Sequence, residues 1–363
     1  MIVSDGEIRT NYVFIKAFLF PTFGAMEKAA LDKLASFFKE PHHIVITTHK
    51  NPDGDAMGSS LAMARYLRKK KQSVQVITPT DYPNFLKWMP GNSDALIHTE
   101  AEEKANDLIE KADMIICLDF NALSRIGAME EPVRKSSGVK MMIDHHQQPE
   151  QFAAFTRSVP EVGSTCQLVF EWIVEMGDKE LIDAEMAQCL YTGIMTDSGG
   201  FRFSSTTPKT HHITADLIEF GAKPHEIYDR VMDNNRESRL RLLGYALSEK
   251  LRVLPEYKTA YIGLTAEELE RFQFEKGDTE GFVNYALSVE GVKFAALIMD
   301  KDGLRKISFR SKGDWDVNTF ARTHFNGGGH KNAAGGASDL SMDETVQKFV
   351  DLLPQYREEL NGK

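Results

Sequence analysis

Short apolar runs rich in β-branched residues alternate with helical patterns across the first part of the chain, residues 44–220. The runs MIICLDF and VKMMIDHH are almost continuously apolar, as expected for strands that are covered on both faces of a sheet. The predicted strands are 44–48, 74–78, 114–120 and 139–146, and the predicted helices are 58–70, 164–177 and 184–199. This alternation predicts an α/β fold with a mostly parallel sheet and flanking helices.

The pattern changes near residue 225, where a charged helix is predicted over 236–251. Three strand-like runs and two helical segments follow it, which indicates a second, smaller α/β domain. The predicted strands are 257–264, 292–300 and 304–311, and the predicted helices are 317–325 and 344–360. We therefore divide the chain into an N-terminal extension (1–25), a first domain (26–225), a helical linker (226–250) and a C-terminal domain (251–363).

Composition and charge narrow the class of protein. A formal net charge of -10 argues against long nucleic acid held on a broad basic surface, but leaves room for a short charged ligand in a local basic pocket. Three widely spaced cysteines without a C-x-x-C pair fit a reducing compartment. The apolar segment 12–24 is interrupted by Lys16, is too short to span a membrane and follows acidic residues, unlike a signal peptide. We expect a cytoplasmic protein with no membrane partner.

Acidic residues and histidines follow the predicted strands at the points where the strands end. Further aspartates lie in the loop HKNPDGDAMGSS (49–60) and in GIMTDSGGF (193–201). The residues concerned are His49, Asp53, Asp55, Asp119, Asp144, His145, His146 and Asp197. Ligands of open parallel sheets bind at the carboxyl ends of the strands, so we expect these side chains to converge on one site.

The chemistry of this group predicts two divalent cations. Several carboxylates within a few ångströms repel each other unless a cation lies between them, and oxygen and imidazole donors without thiolate suit Mn, Mg, Fe(II), Co or Zn. A carboxylate that bridges two ions about 3.5–4 Å apart can hold a hydroxide for in-line attack on phosphorus. Taken singly, Asp53 and Asp55 also fit a solvated loop, and Asp119 also fits a turn. Gly58 is predicted to begin a helix whose positive end faces the site.

The second domain carries a separate signal, FNGGGHKNAAGGA (325–337). Three consecutive glycines let backbone amides approach a ligand closely, and His330 follows them at once. The span 300–331 has seven Lys/Arg against four Asp in an otherwise acidic protein, and Arg310 can bind a phosphate through two parallel hydrogen bonds. A flexible glycine turn is the alternative for this stretch, but beside a metal site it predicts a phosphate pocket.

HKNPDGDAMGSS, CLDF, DHH, GIMTDSGGFRF and GGGHKNAAGG resemble, in order and spacing, the motifs of the DHH phosphoesterases with their DHH-associated C-terminal domain. Within this RecJ-like family, the two-domain layout is most similar to the members that act as nanoRNases and as phosphatases of pAp (3′-phosphoadenosine 5′-phosphate). The resemblance implies a metal-binding catalytic domain at 26–225, a substrate-binding domain at 251–363 and an active site in the cleft between them.

The resemblance also implies roles for individual residues. It implies two divalent ions, with Mn²⁺ favoured, of which one is held by His49, Asp53 and Asp119, and the other by Asp55, Asp119, His145 and Asp197. Asp119 is the implied bridging and catalytic carboxylate, and His146 is the implied catalytic residue at the scissile phosphate. The implied substrate-binding residues are Arg310, Ser311, Gly328, Gly329 and His330, while Asp144 is expected to support the ligands.

The implied function is hydrolysis of short oligoribonucleotides to mononucleotides and of pAp to AMP. A cleft with metals on one side and a basic glycine pocket on the other favours short RNA and nucleotides over long duplexes. Two other enzymes remain open: a phosphodiesterase of linear or cyclic dinucleotides of the pApA type, and a family II-like inorganic pyrophosphatase. A nucleotide-binding sensor without turnover is the alternative from another class, and the sheet-rich domains could form a homodimer.

Overall fold

The computed structural model describes residues 26–301 and 303–362, so the predicted N-terminal extension at 1–25 lies outside the described residues. Six strands of the first domain form one sheet in the order β3-β2-β1-β4-β5-β6, and all neighbouring pairs are parallel. The strands are β1 (His43–Thr47), β2 (Ser73–Thr78), β3 (Leu96–Ile97), β4 (Met114–Leu118), β5 (Val139–Asp144) and β6 (Phe155–Ser158). The predicted mostly parallel sheet is confirmed.

Helices cover both faces of this sheet. They are α1 (Lys28–Phe37), α2 (Gly54–Lys69), α3 (Glu102–Glu110), α4 (Glu130–Lys135), α5 (Thr165–Glu175), α6 (Ala184–Asp197), α7 (Pro208–Glu219) and α8 (Pro224–Val231). Alternate strand residues enter different cores: Ile44 and Ile46 pack with Trp172 on one side, whereas Val45 packs with Ile115 on the other. Two covered faces explain why the strands are apolar at nearly every position.

Helix α2 begins at Gly54, four residues before the predicted start at Gly58, so that prediction is wrong. The reason is the side chain of Asp53, which accepts hydrogen bonds from the amides of Asp55 and Ala56 and caps the helix there. Gly58 instead allows α2 to pack closely on α6, because a Cβ at this position would lie 2.4 Å from the carbonyl oxygen of Cys189.

The C-terminal domain is a second α/β unit with the strand order β11-β12-β10-β9-β8-β7, antiparallel except for the parallel pair β8 and β9. The strands are β7 (Leu251–Leu254), β8 (Thr259–Leu264), β9 (Phe294–Lys301), β10 (Leu304–Ser311), β11 (Gly328–His330) and β12 (Ala333–Ser338). The helices are α9 (Glu237–Tyr245), α10 (Ala266–Arg271), α11 (Phe282–Ser288), α12 (Val317–His324), α13 (Met342–Leu352) and α14 (Arg357–Asn361).

Packing shows how the segment between the sheets is divided. Ile227 of α8 lies in the core of the first domain, whereas Leu242 of α9 and Ala246 lie in a core of the second. The predicted linker at 226–250 is therefore packed against one domain or the other over much of its length. No helix among the described residues is long and apolar enough to cross a membrane.

Candidate active site

The sheet order brings the carboxyl ends of three neighbouring strands together. Strand β1 lies beside β4, and β4 lies beside β5. His49 follows β1, Asp119 follows β4 at once, and His145 and His146 follow β5. The remaining predicted carboxylates join them from the start of α2 and the end of α6, as expected for a ligand site at the carboxyl edge of a parallel sheet.

The first cluster consists of His49, Asp53 and Asp119. Nε2 of His49 lies 3.4 Å from Oδ2 of Asp119 and 3.8 Å from Oδ2 of Asp53. The other ring nitrogen, Nδ1, lies 3.0 Å from the carbonyl oxygen of Lys50 and must donate its hydrogen there, because a carbonyl only accepts. In the neutral ring the Nε2 lone pair therefore points at two carboxylates, an arrangement that a cation or a proton must stabilise.

The second cluster consists of Asp55, His145 and Asp197. Nε2 of His145 lies 3.3 Å from Oδ2 of Asp197 and 3.7 Å from Oδ2 of Asp55. Nδ1 of His145 donates to the carbonyl oxygen of Val162 at 3.0 Å, so here also Nε2 is the nitrogen that faces the carboxylates. The six potential ligands thus form two groups, and within each group one ligand atom per residue lies within 4.8 Å of the others.

Asp119 connects the two clusters. Its Oδ2 faces His49, whereas its Oδ1 lies 3.3 Å from Nε2 of His145 and accepts a hydrogen bond from Oγ1 of Thr165 at 2.9 Å. The backbone of Asp119 has a φ of 65°, an unusual value for a residue other than glycine, and its amide donates to the carbonyl oxygen of Ile143. This turn directs one carboxylate between both histidines.

The amino end of α5 holds Asp55 in place. The amides of Thr165 and Cys166 donate to Oδ2 and Oδ1 of Asp55 at 2.6 and 2.9 Å. Ser164 caps the same helix, as its sequence position predicts. Hydrogen bonds and the helix dipole stabilise a carboxylate at this position. Ser164 indicated the start of α5 in the sequence, but not that the amides of this helix would donate to Asp55.

Electrostatics test whether this group fits divalent cations. Burial and the negative charges of Asp119 and Asp197 raise the pKa of Asp55 well above its ordinary value. Burial opposes charge on His145, but its hydrogen bond to Asp119 and the charge of Asp197 raise its pKa well above the ordinary range. Raised pKa values at both groups indicate uncompensated negative charge in the cluster, and oxygen and imidazole donors without thiolate fit hard or borderline divalent ions.

His146 has a different environment. Its Nδ1 lies 2.7 Å from Oδ1 of Asp144, and its amide donates to Oδ2 of the same carboxylate. Burial and the positive charge of Arg125 hold the pKa of His146 well below its ordinary value. Asp144 therefore orients the imidazole of His146 through hydrogen bonds from its Nδ1 and its backbone amide.

The C-terminal domain reaches this site through His330. Its ring centroid lies 4.3 Å from that of His146 and 4.6 Å from that of His145. The negative charge of Asp197 favours the charged form of Arg310. Burial outweighs this effect and lowers the pKa of the guanidinium. The structure therefore brings side chains of both domains together at the two clusters of potential metal ligands.

Two other predicted substrate residues have hydrogen bonds that the sequence did not indicate. The Ser311 hydroxyl donates to the carbonyl oxygen of Trp315 at 2.7 Å and accepts from Nδ2 of Asn332 at 2.8 Å. The Gly329 amide donates to Oδ1 of Asn318 at 2.9 Å. The hydroxyl of Ser311 and the amide of Gly329 therefore stabilise the C-terminal domain through hydrogen bonds within the protein. Gly328 pairs with Gly335 on the neighbouring strand β12.

Sequence reasoning missed Arg125. Its positive charge adds to the effect of burial in lowering the pKa values of His146 and His330. At His49 it only opposes a rise in pKa that the hydrogen bond to Asp119 and the charge of Asp53 cause. Its carbonyl oxygen accepts a hydrogen bond from the amide of Lys50 at 2.8 Å, which ties its loop to the loop after β1. The available signal was a cation six residues after Asp119, in the loop that follows a strand end.

An α/β fold with this largely buried set of oxygen and imidazole donors at the carboxyl edge of its sheet defines a metal-dependent phosphoesterase. Family comparison agrees: residues 43–194 match the model of the DHH family, N-terminal domain, and residues 257–359 match that of the DHHA1 domain. The chain belongs to the DHH family.

Curated relatives and a solved structure extend over most of the chain. It is 32% identical to a bifunctional oligoribonuclease and PAP phosphatase NrnA of Thermus thermophilus, over 87% of this chain and 90% of the relative. The protein of the same name from Bacillus subtilis is 27% identical, over 85% of this chain and 93% of that protein. A crystal structure of an exopolyphosphatase-related protein from Bacteroides fragilis is 44% identical, with a TM-score of 0.89, and covers 93% of this chain and 99% of its own.

Proposed function

We propose that this protein hydrolyses short oligoribonucleotides to mononucleotides and converts pAp to AMP. The observation that carries the proposal is the contact of His330 with His145 and His146, because it closes a cleft between the metal-binding edge of the first domain and the C-terminal domain. A substrate that contacts both walls of this cleft is short. The names of the two relatives from Thermus thermophilus and Bacillus subtilis support the same substrates.

Two divalent ions would be held by the two clusters. His49, Asp53 and Asp119 would bind one ion, and Asp55, Asp119, His145 and Asp197 would bind the other, with Mn²⁺ as the favoured metal. When bound, such ions supply Lewis-acid stabilisation of the negative charge that develops on the phosphate oxygens. The convergence of acceptor atoms described above supports this assignment, because each histidine directs its Nε2 lone pair at carboxylates.

His146 is the catalytic histidine of this proposal, beside the catalytic carboxylate Asp119. Because Asp144 accepts from its Nδ1, the tautomer leaves Nε2 free to accept a proton or a hydrogen bond at the substrate. Its low pKa keeps the ring neutral near pH 7, so that Nε2 is available as a hydrogen-bond acceptor at the substrate.

The far end of the substrate is assigned to the C-terminal domain. Arg310 would bind a phosphate through its planar guanidinium, and His330 would contact the substrate from the wall opposite the metals. Gly328 and Gly329 leave that wall without side chains, while Ser311 supports the loop through its bonds to Trp315 and Asn332. Arg125 adds a positive charge on the metal side that favours an anionic substrate.

A substrate panel with Mn²⁺ tests the proposal. The panel contains pAp, pApA, diribonucleotides, a 20-residue RNA, single-stranded DNA and pyrophosphate, with Asp119→Ala as the inactive control. We expect turnover of pAp and diribonucleotides that falls sharply as RNA length increases. Equal rates on short and long RNA contradict the proposal. Preference for pApA assigns the dinucleotide phosphodiesterase, preference for pyrophosphate assigns the pyrophosphatase, and binding without turnover assigns the sensor.

We further propose the domain organisation and the setting of the enzyme. The metal-binding catalytic domain begins near residue 26, and the substrate-binding domain extends to the C-terminus. The packing of α8 and α9 supports a boundary at 232–236, within the predicted linker 226–250. A cytoplasmic location is supported by three buried free cysteines, Cys117, Cys166 and Cys189. Light scattering of the purified protein measures whether it forms a homodimer.

A further inference from the structure

Asn318 is a buried carboxamide where the two domains meet. It lies in the first turn of α12 with only 2% of its surface exposed. Its Oδ1 accepts hydrogen bonds from the Gly329 amide at 2.9 Å and from Nε of Arg322 at 3.1 Å. Asn318 therefore fixes the glycine strand β11, and with it the residue before His330.

These two donors determine the orientation of the amide. A glycine N–H and an arginine N–H both require an acceptor, so the oxygen of Asn318 must face them and its Nδ2 must face the other way. On that side Nδ2 donates to Oε1 of Gln147 at 3.2 Å. Every donor in this group therefore faces an acceptor. Because the Oδ1 of Asn318 is occupied by Gly329 and Arg322, its Nδ2 is directed at Gln147.

Gln147 belongs to the first domain and follows His146 directly. Nδ2 of Asn121 donates to its carbonyl oxygen at 2.5 Å, which fixes the backbone after the DHH motif. The bond between Gln147 and Asn318 therefore crosses the cleft. Gln147 is next to His146 in the chain, and Asn318 accepts a hydrogen bond from the amide of Gly329, the residue before His330.

We propose that Asn318 is a positioning residue that couples the seating of the glycine strand to closure of the cleft on His146. The proposal rests on the proposed function and deepens it. The bond to Gln147 exists only while the two walls are close, so it favours the arrangement in which His330 meets His146. A second cross-domain contact, from Nζ of Lys276 to the carbonyl oxygen of Asp81, lies away from β11 and does not fix the glycine strand.

The coupling predicts which substrates depend on Asn318. pAp and diribonucleotides contact both walls, so their binding benefits from closure. Bis(p-nitrophenyl) phosphate lacks a second phosphate for the C-terminal wall and requires only the metal side. A single hydrogen bond of this kind contributes about two- to tenfold in an equilibrium constant. We expect kcat/KM for pAp to fall by about this factor when the bond is lost, mainly through KM, and to stay unchanged for the small phosphodiester.

Four variants separate the bond from folding. Gln147→Met removes the acceptor at similar volume and breaks the bond. Asn318→Asp keeps the acceptor for Gly329 and Arg322, and the Gln147 amide can turn to donate to it. Gln147→Glu still accepts from Asn318. The double variant Gln147→Glu with Asn318→Asp places two carboxylates face to face and repels them.

We therefore expect near wild-type behaviour from both single carboxylate variants, but weakened binding of pAp in the double variant and in Gln147→Met, at saturating Mn²⁺. Amide hydrogen exchange without substrate provides a second readout: exchange at 328–331 should rise in the same two proteins. Unchanged exchange and unchanged kcat/KM in Gln147→Met overturn the positioning role. Equal losses on pAp and on bis(p-nitrophenyl) phosphate also overturn it, because they indicate general damage. Failure of the proposed function is recognised separately, in the wild-type substrate panel, while the exchange measurement still decides the role of Asn318.

Discussion

Replacing Asp197 with asparagine should have opposite effects on the stability of the metal-free and the metal-loaded protein. The Asp197 side chain is 28% exposed, and its Oδ2 lies 3.3 Å from Nε2 of His145. Burial, together with the negative charges of Asp53 and Asp119, raises the pKa of Asp197 to about 7, although His145 acts in the opposite direction. The ordinary pKa of such a carboxyl is 3.8.

The magnitude follows from this difference. Between about pH 4 and pH 7 the folded, metal-free protein keeps a proton that the unfolded chain has lost, so this contribution to stability is complete at low pH and disappears as the pH rises through about 7. About three pH units correspond to a free energy of unfolding on the order of 4 kcal/mol. In a domain of roughly 200 residues, this is a change on the order of 10 °C in melting temperature.

The assay is thermal unfolding of chelator-treated protein near pH 5 and near pH 8, with and without added Mn²⁺. Metal-free wild type should melt at a lower temperature near pH 8, whereas Asp197→Asn should depend less on pH and melt above the wild type there. Added Mn²⁺ should reverse this order, because the wild type gains a ligand-dependent stabilisation that the variant largely loses.

Asp183→Asn is the matched control. Burial alone would raise the pKa of Asp183, but Lys69, the Met186 amide and Arg65 together lower it. Its replacement should therefore destabilise the protein near pH 8 with or without metal. If metal-free Asp197→Asn is less stable than the wild type near pH 8, or if Mn²⁺ stabilises both equally, the proposed site and its electrostatics are wrong.

Three further substitutions test separate parts of the site. Asp119→Asn should reduce turnover by about a thousandfold or more and lower the bound metal measured by elemental analysis; two bound ions with retained turnover would refute the bridging role. Gly193→Ala would put a Cβ 2.8 Å from Oδ1 of Asp55 and 2.2 Å from Sγ of Cys166, so Mn²⁺ affinity measured by calorimetry should fall about 10- to 100-fold. Gly244→Ala, which meets no atom within 4 Å, is its control, and equal affinities would contradict the argument. Arg310→Lys should lower kcat/KM for pAp about tenfold or more but spare adenosine 3′-phosphate, and an equal loss on both would exclude a role in binding the second phosphate.

Much of the first domain could be predicted because its signals are local. Continuous apolar runs identified β4 and β5, and the residues after them had to meet at one edge once the strands were parallel. The residues at the strand ends therefore predicted both the parallel sheet and the position of the candidate site. The strands β3, β6, β7, β11 and β12 were missed. The first four have only two to four residues, which give too little periodicity to distinguish a strand from a loop. Strand β12 consists of alanine, glycine and serine, which give no alternation of large apolar and polar residues.

Contacts between distant segments could not be predicted in this way. Thr165 is 110 residues from Asp55 along the chain, so the sequence around either residue gives no sign of the other. Gln147 and Asn318 are separated by 171 residues and belong to different domains. Such pairs depend on how helices dock on the sheet and how the domains meet. A single sequence therefore predicted candidate ligands of the site but not the hydrogen bonds that support them.

The position of Asp119 has a consequence for how the protein would acquire the two proposed ions. One carboxylate faces both clusters through different oxygens, so occupancy of one cluster changes the charge and the orientation available to the other. By thermodynamic reciprocity, the two ions must influence each other's affinity equally. At limiting metal the population of half-loaded protein is then set by this coupling, and activity need not rise in proportion to the metal supplied.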